Sequence, residues 1–289
     1  MKIGVHLPTF GPHATPENIL LVARTAEDLG FSSVWLFDHI VTPVGIQTAY
    51  PYSAEGKYGL KPEDPYYEAV TVMAYLAAAT SRVTIGANVL VPTLRHPLLL
   101  AKQLASVDRL SGGRVVVGVG AGWLREEFEA LQVPFERRGT RLEEHIQVMR
   151  NLWENTVAAH DGPSYPHAAL GLSPTPHAEG GRIPIIIGGH SDRALRRVAR
   201  IGDGWAVVAS PAADMLAAYA ERLATLRRMC QEVGRDFDEL MLVAQVPATI
   251  GVPALEQIAA LGVHVCDLVS FGRPELTAKL LATLPTSVG

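Results

Sequence analysis

Residues 82–123 read RVTIGANVLVPTLRHPLLLAKQLASVDRLSGGRVVVGVGAGW. Two apolar runs, 83–91 and 115–119, flank a segment with helical spacing over 97–110. Strands joined by a helix of that length run parallel, because an antiparallel pair needs only a short turn, so the stretch is one β-α-β unit. Its strands are unusual in composition. Asn88 interrupts the first, and Gly118, Gly120 and Gly122 share one face at the end of the second, where a strand that only fills a core would carry Val or Ile.

The same alternation extends in both directions. Strand-like runs occur at 3–7, 33–37, 83–91, 115–119, 183–187, 205–209, 240–245 and 266–271, separated by helical spacing over 16–29, 67–79, 97–110, 139–152, 192–201, 212–233, 254–261 and 274–284. Thr15 before Pro16 and Ser191 before Asp192 are N-cap signals, and Gly30, Gly202, Gly234 and Gly262 stand where helices should stop. Eight strands alternating with eight helices predict an α/β fold, a (β/α)8 TIM barrel formed as one domain over residues 1–289. A doubly wound open sheet is the alternative. Its nucleotide fingerprint is missing: Gly118, Gly120 and Gly122 give GxGxG, but Trp123 occupies the place where the fingerprint needs its third glycine.

Three interruptions exceed ordinary connections: 40–66, 123–138 and 156–182. The first two follow strands directly, which puts them at the C-terminal mouth of a barrel as candidate lids. The third is expected to be an insertion that contributes to specificity.

Composition excludes several classes. A chain that is 48% hydrophobic and 19% charged has enough apolar surface for a large core. Net charge is −4, and the pairs Arg137-Arg138, Arg196-Arg197 and Arg227-Arg228 are scattered, so no nucleic-acid partner is expected. No apolar run approaches the roughly 20 residues of a membrane span. The opening MKIGVHLPTF is broken by Pro8 and is too short for a secretory core, which with Cys230 and Cys266 read as buried free thiols fits the cytoplasm. There is no HExxH, GxSxG or Walker lysine motif, and the ten histidines, including His160, His167 and His177 of the third interruption, lack metal-ligand spacing. No metal is expected.

Three places carry candidate chemistry. The second strand ends in Phe37-Asp38-His39, where a histidine can move a proton near neutral pH and Asp38 is placed to orient it. Asn88 must find partners, from a bulge or a ligand, because an unsatisfied buried amide costs about 1–3 kcal/mol. The fifth strand ends in Gly188-Gly189-His190-Ser191 just before a helix, a recipe for binding an anion through backbone N–H groups, or else a flexible turn. The glycine face of the fourth strand admits either a flat ligand or a neighbouring backbone.

GANVLVPTLRHP, then DRLSGGRVVVGVGAGW with REEFEALQVPFERRG behind it, resembles the bacterial luciferase-like monooxygenase superfamily, most closely its deazaflavin (coenzyme F420)-dependent oxidoreductases. GVHLPTFGP, the FDH of the second strand and IIIGGHSDRALRRVARIGDGW extend the similarity to about residue 209. The resemblance implies a barrel with F420 or, alternatively, FMN at the strand ends. It implies a bulge in the third strand whose non-proline cis peptide, Asn88-Val89, backs the cofactor ring. His39 then corresponds to the active-site histidine with Asp38 as neighbour; Val91, Ala121, Gly122 and Glu126 line the cofactor; and Gly188, Gly189, His190 and Ser191 hold its phosphate. Relatives suggest a homodimer acting on a small organic molecule. The family's sugar-phosphate dehydrogenases carry glutamate where this chain has Trp123, which implies a less polar substrate packed against an aromatic wall. Hydride transfer with F420, oxygen chemistry with FMN, and flavin binding without turnover are the three functions these residues allow.

Overall fold

The structure, a computed structural model, describes residues 1–51, 55–59, 61–155, 157–177, 181–208, 213–270 and 272–289. In chain order the strands are β1 (Lys2–His6), β2 (Ser33–Leu36), β3 (Thr84–Leu90), β4 (Val115–Val119), β5 (Val157–His160), β6 (His167–Gly171), β7 (Ile185–Gly188), β8 (Gly204–Val208), β9 (Met241–Pro247) and β10 (Val265–Val269). The helices are α1 (Pro16–Leu29), α2 (Ala69–Ala79), α3 (Pro97–Ser111), α4 (Arg125–Ala130), α5 (Arg138–Glu154), α6 (Asp192–Ile201), α7 (Ala213–Glu232), α8 (Val252–Ala260) and α9 (Pro274–Leu281). Eight strands close a parallel barrel in the order β1-β10-β9-β8-β7-β4-β3-β2, with β1 paired to both β10 and β2. This is the (β/α)8 barrel expected from the alternation, and closure rules out the open sheet. The expected ends of two strands, at Ala209 and Phe271, lie outside the described residues.

Local signals act as their chemistry predicts. Thr15 accepts a hydrogen bond from the Asn18 N–H and Ser191 one from the Ala194 N–H, satisfying donors that the first helical turn leaves free. Gly30 closes α1 at φ 89°, a left-handed conformation that a Cβ would disfavour. Gly202 instead ends α6 in extended backbone, φ −80°.

The barrel interior is layered. Trp35, Val116, Ile186, Ala206 and Val243 form an apolar middle layer, separate from the larger core between strands and helices. Trp35 fits because its neighbours have no side chains: a Cβ on Gly86 would lie 2.3 Å from the indole, and one on Gly4 2.6 Å from its nitrogen. Ser33 accepts the indole N–H at 2.8 Å, so this bulky ring is buried without an unsatisfied donor. Above this layer, toward the strand C-termini, the interior turns polar.

Two interruptions are more ordered than the sequence suggests. Residues 123–138 contain α4. Residues 156–182 contain the antiparallel pair β5-β6, and this insertion lies along the outside of α3 and α5 rather than over the mouth. Arg109 donates to the Thr175 carbonyl, Lys102 bonds the Ser173 carbonyl, the His177 N–H donates to Asp108, and Glu144 accepts from the Ser164 and Tyr165 N–H groups. The insertion follows α5, and its Tyr165 ring packs on His96, the N-cap of α3, and on His145 of α5. Among the described residues no helix is long and apolar enough to cross a membrane. Cys230 and Cys266 are buried free thiols, and burial pushes the Cys266 thiol up to about 12.

Gly86→Ala should destabilise the protein by about 1–3 kcal/mol, the usual result of forcing atoms into a filled core. Gly59→Ala, where a Cβ meets nothing within 4 Å, should leave the urea midpoint nearly unchanged. Equal midpoints for the two variants would show that Trp35 does not set the interior packing.

Candidate active site

The mouth of the barrel is built where β2, β3 and β4 end. His39, three residues beyond β2, is held by Glu127 of α4: its Nδ1 lies 2.7 Å from Glu127 Oε2. A carboxylate only accepts, so Nδ1 carries the proton and Nε2 of the neutral ring is left as an acceptor. The other Glu127 oxygen accepts the Ile40 N–H at 2.6 Å and the Val41 N–H at 3.2 Å. One buried carboxylate therefore orients the histidine and anchors the start of the 40–66 loop.

The expected orienting role of Asp38 is corrected. Its oxygens receive both terminal nitrogens of Arg95, at 2.7 and 2.8 Å, and the Val91 N–H at 2.9 Å. Arg95 also bonds Glu68, the N-cap of α2. Burial alone would lower the Arg95 pKa, but the two carboxylates raise it, so the triad is a fixed ionic clamp between β2, α2 and the exit of β3. Glu127 escaped sequence reasoning because its neighbour Glu126 was the obvious match; a helix places consecutive residues on different faces, and only the docking of α4 shows which one meets His39.

Glu126 faces the loop. It accepts from the Gln47 N–H at 2.7 Å, the Thr48 N–H at 2.9 Å and the Thr48 hydroxyl at 2.7 Å. Burial acts to raise its pKa, but these hydrogen bonds outweigh burial and bring it down to about 2. Its carboxylate is a latch on the first loop rather than an open wall of the mouth.

Aromatic rings cover His39. Tyr58, Tyr66 and Trp123 lie 5.4, 5.5 and 6.0 Å from its ring, and Tyr50, Tyr58 and Trp123 pack on one another at 5.0–5.2 Å. Burial raises the phenol pKa of Tyr58 and Tyr66, keeping both neutral. Arginines near the mouth are engaged: Arg95 as above, Arg138 with the Gly122 carbonyl and the Phe135 ring, Arg125 with Glu136.

The Asn88-Val89 peptide bond is cis, and the β3–β4 register shifts between Ala87 and Leu90. Of the two occupants open to the glycine face, a flat ligand or a neighbouring backbone, the structure shows the second: the face is filled by the third strand. A Cβ on Gly118 would lie 2.4 Å from the Ala87 carbonyl oxygen, and Cβ atoms on Gly120 and Gly188 would lie 2.7 and 2.9 Å from the Val89 methyls. These glycines admit the bulge, not a ring. Val91, Ala121 and Gly122 stand beside it at the strand ends, where a Cβ on Gly122 would strike Phe128.

Beside β4, at the end of β7, Gly188 and Gly189 lead into the N-terminus of α6. Gly189 has φ 120° and its carbonyl accepts the Trp205 indole N–H at 2.8 Å; Ser191 caps the helix. His190 packs edge-on to Trp205, and burial lowers its pKa. The ends of β3 and β7 and the start of α6 fit a flat ring with an anionic tail, since the first helical turn offers backbone N–H groups and a positive dipole end. Sequence reasoning also missed His6, Gln245 and Asp267, whose signal is the one that exposed Asn88: a polar residue inside an apolar strand.

Residues 1–261 match the family described as luciferase-like monooxygenase. An uncharacterized protein of Mycobacterium tuberculosis, Rv0940c, is 37% identical over 184 residues, 64% of this chain and 62% of that protein, so the match spans less than two thirds of this relative's length. The F420-dependent glucose-6-phosphate dehydrogenase of Kribbella flavida is 27% identical over 251 residues, 85% of this chain and 69% of the enzyme. The monooxygenase RslO1 from Streptomyces bottropensis superposes with a TM-score of 0.77 at 20% identity, covering 98% of each chain, a likeness of fold.

The Glu126 latch has a defined pH dependence. Its folded pKa is depressed, so the stability it contributes is present above the ordinary glutamate value of about 4.3 and is lost as pH falls toward 2. The protection factors of the Gln47 and Thr48 amides, measured against their intrinsic exchange at each pH, should fall over that window, and Glu126→Gln should lower them at neutral pH. Glu127→Ala should expose the Ile40 and Val41 amides to exchange and lower stability by about 1–3 kcal/mol; unchanged protection would remove Glu127 as the anchor.

Proposed function

The chain belongs to the luciferase-like monooxygenase family, and on that premise we propose that it is an F420-dependent oxidoreductase transferring a hydride between deazaflavin and a small, weakly polar organic molecule. The observation that carries this reading is the His39–Glu127 pair, 2.7 Å apart, beneath an aromatic cover and beside the bulge of β3. Asn88 and Val89 would back the ring, Val91, Ala121 and Gly122 would line its edge, and Gly188 to Ser191 with the N-terminus of α6 would hold the phosphate. When bound, the deazaflavin supplies or accepts the hydride at its ring.

The chain's own residues handle the proton and the solvent. In the reducing direction, His39 donates a proton from Nε2 to the atom that gains charge, and Glu127 on Nδ1 holds the ring in place for that transfer. In the oxidising direction, neutral Nε2 takes the proton of an alcohol. Tyr50, Tyr58, Tyr66 and Trp123 exclude water and offer flat apolar faces. The engaged state of Arg95, Arg125 and Arg138 leaves those cations unmatched to a phosphorylated substrate, so the activity in the name of the Kribbella flavida relative is not carried over.

A second reading is an FMN-dependent monooxygenase, because FMN presents the same kind of tricyclic ring and phosphate tail to these residues. Fluorescence titration of the purified protein with F420 and with FMN separates them: F420 is expected to bind, and tight FMN binding without F420 binding would overturn the cofactor assignment. Binding without turnover of enones, imines or alcohols would favour a carrier. His39→Ala should cut turnover at least about 100-fold in a protein that still folds by circular dichroism; wild-type turnover would take His39 out of the mechanism.

A further inference from the structure

Below the mouth, the top layer of the barrel interior holds four buried polar side chains from four strands: His6 of β1, Asn88 of β3, Gln245 of β9 and Asp267 of β10, exposed by 3, 7, 5 and 0%. They converge on a single atom. Asp267 Oδ2 receives Gln245 Nε2 at 2.9 Å, His6 Nδ1 at 3.0 Å and Asn88 Nδ2 at 3.3 Å. Asp267 Oδ1 and His6 Nε2 have no partner among the described residues. A carboxylate removed from water with one oxygen unpaired is costly, and native barrels fill such positions with branched apolar residues unless the polar group has a task.

The task is visible in β3. In a regular strand, consecutive side chains point to opposite faces, so with Asn88 directed inward Val89 should face the helices. Val89 instead packs on the interior cluster of Trp35 and Val116, with its methyls over Gly120 and Gly188. Two consecutive residues thus point into the barrel, which the register shift between Ala87 and Leu90 makes possible. Glycines accept Val89 on one side. On the other, Asn88 is held by Asp267 from the far side of the barrel, 179 residues away in sequence.

We propose that Asp267 is a positioning residue: by accepting the Asn88 amide inside the barrel it holds the Asn88-Val89 bulge in the place where the cofactor ring is to be backed. His6 and Gln245 complete the donor set that keeps the carboxylate in place, and the His6 ring, 3.7 Å from that of Phe37, ties the network to the segment that carries His39. The inference rests on the cofactor reading for its consequence but not for its geometry.

Two measurements test it. Crystal structures of the wild type and Asp267→Ala without cofactor read the bulge directly; Asn88 is expected to leave the interior and the 87–90 register shift to change, and an unchanged bulge overturns the inference whichever cofactor the protein uses. Affinity for F420 and FMN in a double-mutant cycle reads the coupling: Asp267→Ala and Asn88→Ala should each weaken binding about tenfold, and the double variant should be no worse than the weaker-binding single one. Multiplying effects would mean that the two residues act independently and would also overturn it. Asp267→Asn keeps an acceptor of the same shape and should retain near wild-type affinity. If Asp267→Ala does not fold, Asp267→Leu, which fills a similar volume and offers no acceptor, takes its place in both measurements with the same outcomes deciding. A wild type that binds neither cofactor would sink the cofactor reading and leave the structural arm to decide this one.

Discussion

The constraint on which the site depends is that two consecutive residues of one strand occupy the inside of a closed barrel. A strand normally alternates, and the interior of eight strands is filled by side chains with little space left over. Admitting Val89 beside Asn88 needs empty positions on the neighbouring strands, which Gly118, Gly120 and Gly188 provide, and a partner for the amide, which Asp267 provides. The same economy of side chains operates one layer lower, where Gly4 and Gly86 make room for Trp35. The glycines of this barrel are thus matched to particular bulky or irregular neighbours, and each pair fixes the register between strands.

Above that floor, the mouth is assembled by carboxylates that read backbone N–H groups. Glu127 joins His39 to the start of the 40–66 loop, Glu126 holds that loop at Gln47 and Thr48, and Asp38 holds the exit of β3 through Val91. Each joins segments distant in sequence, so histidine, loop and bulge are positioned together. A carboxylate with several N–H donors is held in its charged state, and so the closed arrangement of the mouth is tied to pH through Glu126.

The fold was largely legible, for reasons specific to particular residues. Alternating apolar runs and caps such as Thr15 and Ser191 placed the strands and most helices to within a few positions, because the periods of 2 and 3.6 and the capping hydrogen bonds are local. The hairpin β5-β6 was not legible: its strands, VAAH and HAALG, are short, largely exposed and anchored by Glu144 and Asn151 of α5. In the site, His39, Asn88 and Trp123 stood out as chemistry in unexpected places. Their partners did not.

By itself, the sequence determined that this protein alternates eight strands with eight helices, with lengthened loops after two of the strands, an irregular third strand and a histidine at the end of the second, since each of these is a local pattern. Only the tertiary structure decided that the sheet closes into a barrel, that Glu127 rather than Asp38 orients the histidine, that the glycine face receives the third-strand bulge, that described residues of the 156–182 insertion pack on α3 and α5, and that Asp267 meets Asn88. The physical reason is one of distance. A hydrogen bond or a van der Waals contact is set to within tenths of an ångström by the docking of whole elements, and residues 53, 88 or 179 positions apart carry no mark of which partner they will meet until closure of the barrel brings them together.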